Sequence, residues 1–160
     1  MAQRTVYSKA RPDPARGRRP SAFNAQAEMS AIHENFAVLG DDSIGTKFYF
    51  GRVASSAIVL PNSILHHTGI TSATLNIGFE DPRGVIAAQP AVLASALNIA
   101  AAGTKQINAA VAVANLNKRV WELLGLPNDP GQELDLVGTL AAAATLAGNL
   151  SVFVHIGREG

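Results

Sequence analysis

The hydrophobic positions of this chain fall in short alternating runs separated by turn residues. In "ATLNIGFE" (73–80), Leu75, Ile77 and Phe79 lie on one side, with Thr74, Asn76, Gly78 and Glu80 on the other. That is the two-residue period of a half-buried strand. In "NLSVFVHIG" (149–157), Leu150, Val152, Val154 and Ile156 alternate with Ser151, Phe153 and His155, which directs the first set to the core. "TKFYFGRVA" (46–54) and "SAIVLP" (56–61) are also rich in strand formers, the second ended by Pro61. "EDPRG" (80–84) is turn chemistry: Pro82 presets φ and Gly84 permits left-handed backbone. The last two runs, 133–145 and 149–157, predict a hairpin about Gly148.

Two segments depart from this pattern. "QPAVLASALNIAAAGTK" (89–105) reads as irregular, with one short helix from Pro90 to about Ala96. In 108–131, Val111 and Val113 alternate as a strand would. Asn115 can then cap a helix whose apolar Leu116, Val120, Leu123 and Leu124 share a side. Gly125 stands at its end, and Pro127 and Pro130 prevent continuation. The expected helix covers about residues 115–125. Trp121 on it is expected in the core or at its rim. Many short strands with a single helix predict an all-β fold, a β-sandwich of jelly-roll-like kind with one short inserted helix and an extended N-terminal arm. The 160 residues suit one domain plus appendages, divided here as an arm over 1–30 and a sandwich over 31–160. Residues 24–35 suit either a turn or two of helix or an extended path.

Composition changes the picture in two ways. Hydrophobic residues make up 48% of the chain but aromatics only 6%, so the core is assembled from small pieces. The net charge of +1 conceals an asymmetry. Residues 1–22 hold six cations, Arg4, Lys9, Arg11, Arg16, Arg18 and Arg19, against Asp13 alone, a net +5 that leaves −4 for residues 23–160. A basic arm hangs on an acidic body, whereas a nucleic-acid binder spreads cations over its folded face. Pro12, Pro14 and Pro20 keep the arm extended. Those six cations are the candidate partner-binding residues, Arg being suited to bidentate carboxylate pairing.

Catalytic and metal chemistry find little support. There is no cysteine, which removes disulfides, thiolate nucleophiles and Cys-based metal sites. His66 and His67 are adjacent and would point to opposite faces of a strand, His33 lies in or near the arm, and His155 is on an outward position. Asp41–Asp42, Glu80–Asp81 and the 129–133 acidic stretch each adjoin Gly or Pro and read as solvated turns rather than calcium loops. No phosphate-binding glycine loop and no nucleophile elbow is present. No catalytic residue, metal or cofactor is expected. No apolar run follows Arg4, Lys9 and Arg11 as a secretion signal requires, and none reaches membrane-helix length, so a soluble protein without membrane partners is expected.

The order "KFYFGRVASSAIVLPNSILHH", "ATLNIGFEDP", "AAAGTK", "NKRVWELLGL" and "ELDLVGTLAAAATLAGNLSVFVHI" resembles small virion structural proteins of tailed bacteriophages, of the head decoration or cement class, over about residues 43–157. The resemblance implies a β-sandwich or jelly roll that sits in several copies on the capsid exterior and holds neighbouring subunits together. Its partners would be the major capsid protein and itself, a trimer being favoured over a dimer. Before assembly it would be soluble in the host cytoplasm. A neck, tail or head-fibre attachment protein is the alternative within the virion. A nucleic-acid-associated protein using the arm is disfavoured, as is a secreted carbohydrate-binding sandwich, which would need a row of exposed aromatics.

Overall fold

The computed structural model describes Gln3, Thr5–Tyr7 and residues 29–157. The strands are β1 (Thr5–Tyr7), β2 (Met29–Val38), β3 (Lys47–Ala54), β4 (Ile58–Val59), β5 (Ile64–His67), β6 (Thr74–Glu80), β7 (Gln89–Asn98), β8 (Gly103–Gln106), β9 (Glu133–Ala142) and β10 (Gly148–Gly157). A 3-10 turn at Val113–Asn115 and one short helix, α1 (Val120–Leu123), interrupt them. One sheet has the order β1-β3-β9-β6-β7; the other has β2-β10-β5-β8, with β4 also on β10. The protein is an all-β sandwich, as the alternation predicts.

The pairing is nested. Of the strands from β2 onward, the first pairs with the last, β2 with β10; inside them lie β3 with β9, then β5 with β8, then the hairpin β6–β7. All of these pairs are antiparallel. A long folded ribbon rolled so that its successive pairs fall on alternate sheets is the jelly-roll arrangement. Thr5–Tyr7 join the edge of the first sheet by parallel pairing with β3, from Thr5 opposite Lys47 to Tyr7 opposite Tyr49.

Aromatic side chains link the two sheets in the core. Phe36 of β2 meets Phe48 and Phe50 of β3 at centroid distances of 5.8 and 5.6 Å, in the offset and edge geometries aromatic rings prefer. Gly138 on β9 makes room for this cluster, because a Cβ there would stand 2.5 Å from the Phe50 ring. Leu75, Ile77 and Phe79 of β6 and Leu150, Val152, Val154 and Ile156 of β10 are all buried. Both alternating runs therefore face inward as expected.

Four local expectations are corrected. The stretches 133–145 and 149–157 supply β9 and β10, but these belong to opposite sheets and do not form a hairpin. Residues 89–98 form strand β7, with no helix from Pro90. Its irregular look comes from register shifts against β6, one of them beside Ala96, whose φ is +47° and whose N–H donates to the Asn76 side chain at 2.7 Å. The helix expected over 115–125 is only α1, Val120–Leu123, and Arg119, not Asn115, is its N-cap. The N–H of Val120 donates to the Ala57 carbonyl and that of Trp121 to Ser55, so tertiary bonds fix where the helix begins. The Glu122 carboxylate accepts from the Arg119 N–H at 2.8 Å. Gly125, at φ +70°, ends the helix. Val111 and Val113 lie outside any strand. Residues 29–35 take the extended path, as part of β2.

Candidate interaction surface

The six arm cations, Arg4, Lys9, Arg11, Arg16, Arg18 and Arg19, lie outside the described residues. What the structure does place is the chemistry of the body, beginning with the carboxylates. Asp42 is buried and accepts the Leu39 N–H at 2.9 Å, closing the β2–β3 turn. Asp81 accepts the N–H groups of Arg83, Val85 and Ile86 at 2.9 to 3.0 Å, which organises the β6–β7 loop. Burial pushes its carboxyl pKa up, but the Arg83 and Ile86 N–H groups, the Gln132 side chain and the Val85 N–H outweigh that and hold it below its ordinary value. Asp129 accepts from the Ser55 hydroxyl and from the Gly131 N–H. Asp42, Asp81 and Asp129 each fasten a turn, but Asp42 is buried rather than solvated as expected, and Glu80 binds Lys47 and Tyr49 across strands instead.

The histidines divide as adjacent strand positions require. His66 is exposed and His67 is buried. Burial, then the Lys105 charge, lowers the His67 pKa, while the Ile99 backbone opposes the shift without reversing it. His33 lies in β2 opposite Phe153 of β10, and the two rings stack at 4.0 Å and 15°. His66 meets the same Phe153 edge-on at 5.8 Å and shares a 2.6 Å hydrogen bond with the Thr104 hydroxyl. Three residues far apart in sequence thus converge on one outer face. Strand alternation marks Phe153 as outward, whereas His33, expected in or near the arm, lies instead within β2, and no local pattern indicates that the three meet. Among the described residues no group of three His, Asp or Glu could hold a metal ion. Trp121 is half-buried, at the core rim, with its indole nitrogen buried and without a hydrogen-bond partner among the described residues. No described helix is long and apolar enough to cross a membrane.

The two outer faces differ in charge. On the first sheet, Lys47 pairs with Glu80 at 2.5 Å, the Tyr49 hydroxyl donates to Glu80 at 2.9 Å, and Arg52 pairs with Asp135 at 3.2 Å. On the second sheet, β2 turns Met29, Ala31, His33, Asn35 and Ala37 outward, and β10 turns Asn149, Ser151, Phe153 and His155 outward. Ile58, Ile64, His66, Thr104 and Gln106 complete that face by strand register. None of these is Lys, Arg, Asp or Glu.

The nested strand order and the two sheets define a jelly-roll β-sandwich. No family model matches the sequence, and no curated protein matches it. Solved structures share its fold. A chain of the capsid of Ralstonia phage GP4 is similar with a TM-score of 0.61 and 15% identity, covering 98% of this chain and 99% of that one. A chain of the cyanophage Pam1 capsid asymmetric unit is similar with a TM-score of 0.56 and 16% identity, covering 88% of this chain and 99% of that one.

Proposed function

We propose that this protein is a non-enzymatic structural component of a phage virion, a decoration or cement protein on the capsid exterior that fastens neighbouring capsid subunits. The observation that carries this reading is the end-to-end likeness of fold to chains of two phage capsids. The turn-forming carboxylates of the body, and histidines that pack on Phe153 rather than in a metal-binding group, agree with a binding module. Residues 31–160 form the seated body in this reading and residues 1–30 the strap, anchored to that body where Thr5–Tyr7 pair with β3 and where Met29 and Ser30 begin β2. Arg4, Lys9, Arg11, Arg16, Arg18 and Arg19 meet carboxylates on the major capsid protein, and ordering of the arm on contact adds area at an entropic cost.

The test is co-sedimentation of the full chain, and of a chain lacking residues 1–22, with capsids free of this protein. The full chain is expected to pellet with capsids. The truncated chain is expected to stay in the supernatant while keeping the strand-type circular dichroism of its body. Undiminished pelleting of the truncated chain would overturn the strap, and failure of the full chain to pellet would overturn the decoration role. A DNA gel shift at low salt tests the competing use of the arm, which needs an affinity falling steeply with salt.

A further inference from the structure

We infer that the outer face of the β2-β10-β5-β8 sheet is where a second copy of this chain docks. Charged residues make up 16% of the sequence, yet among the described residues none occupies an outward position of these strands, the exposed Lys105 of edge strand β8 lying by register opposite buried Leu65 and not on this face. An antiparallel sheet with one face in water ordinarily turns polar and charged side chains outward. Here Phe153 stands at the centre, paired across to His33 on one side and Ile64 on the other. His33 stacks on it and His66 meets its edge. Met29, 60% exposed, lies at the rim. Phe and Met present with Lys, Asp and Glu excluded match the centre of an interface, while Ala31, Ala37 and Ser151 leave room for a partner's side chains.

The occupant follows from charge. Residues 23–160 carry a net −4, so two copies repel wherever their carboxylates approach. A face without formal charge lets like-charged bodies meet without burying an unpaired ion. It also offers no carboxylate to the chain's own cationic arm. The area is of the right order. Two ten-residue strands beside two four-residue strands present about 500 Å² before the rim loops are counted, against about 800 Å² per partner in a standard interface.

Sedimentation velocity of the full chain at micromolar concentration tests this, with His33→Glu and Ala31→Glu on the face and Val85→Glu at the exposed β6–β7 loop as control. The wild type and V85E are expected to sediment as a multimer. Both face variants are expected to fall to the monomer mass with thermal unfolding unchanged within a few degrees. A monomeric wild type, or face variants that keep the multimer mass, would overturn the inference. So would a monomer produced by deleting residues 1–22 alone, which would make the arm the occupant. Capsid co-sedimentation of the same samples separates the two proposals. A wild-type monomer that pellets with capsids overturns this interface and leaves the decoration role, whereas a multimer that does not pellet keeps the interface and overturns that role.

Discussion

The two outer faces of the sandwich use their polar residues in opposite ways. On the β1-β3-β9-β6-β7 side, Glu133 at the strand end apart, charges pair within the chain: Lys47 and Tyr49 share Glu80, and Arg52 holds Asp135, whose side chain is only 2% exposed. The backbone of Gln89 and Pro90 lies directly against Gly78 on that sheet. On the β2-β10-β5-β8 side no outward position carries a formal charge, and the exposed rings are arranged about Phe153. A face that completes its own ion pairs has little left to offer a partner. A face that leaves rings and apolar groups at its surface gains most by being covered.

The largest expected effect closes off the first face. A Cβ on Gly78 would stand 1.9 Å from the Gln89 carbonyl oxygen, a backbone contact that cannot swing aside. Gly78→Val should cost more than about 3 kcal/mol, seen as loss of soluble folded protein, and ordinary thermal stability in that variant would contradict the close approach. Next, Asp135→Ala leaves Arg52 without its buried partner and should lower stability by about 2 kcal/mol in urea denaturation, since Arg52 is itself partly exposed. Lys47→Ala, which removes a pair with one-third of the Lys side chain in water, should cost less than about 1 kcal/mol.

Acid should weaken the body in two stages. The His67 pKa is lowered by burial in the folded state, so the unfolded chain binds the proton more readily. Stability is complete above about pH 6.5, the ordinary imidazole value, and falls as pH drops below it toward the lowered folded value. His67→Leu should flatten that part of the curve. The Asp81 pKa is also lowered in the folded state, so its contribution is present above about pH 3.9 and is lost as pH falls through the lowered value. Thermal unfolding between pH 4 and 8 resolves the histidine stage. The smallest effect on stability belongs to the second face: His33→Glu, at an exposed position, should change unfolding by less than about 0.5 kcal/mol. Its effect should appear in assembly mass instead.

Local alternation made β6 and β10 legible, because β10 keeps an unbroken two-residue period and β6 departs from it only at Gly78, which the Gln89–Pro90 backbone covers. It did not reveal which sheet each strand joins. β9 and β10 are consecutive and short-looped, yet nested pairing sends them to opposite layers, and that is a property of the whole ribbon. β7 was hidden by Ala91, Ala94 and Ala96, weak strand formers, and by register shifts that break its period. The start of α1 was obscured because Ala57 and Ser55, some sixty residues earlier, accept its first N–H groups. The acidic turns were readable from their Gly and Pro neighbours. The convergence of His33, Phe153 and His66 was not, since it depends on the register of three strands. The arm's six cations were conspicuous in sequence, and their role is carried by proposal.

The proposed decoration role on the capsid exterior is decided by counting this protein against the major capsid protein in purified particles by quantitative mass spectrometry. Copies in a fixed proportion to the shell subunits, in the hundreds per particle for an ordinary head, are expected. Absence from the particle, or a count of a dozen or fewer as at a neck or tail, would contradict it.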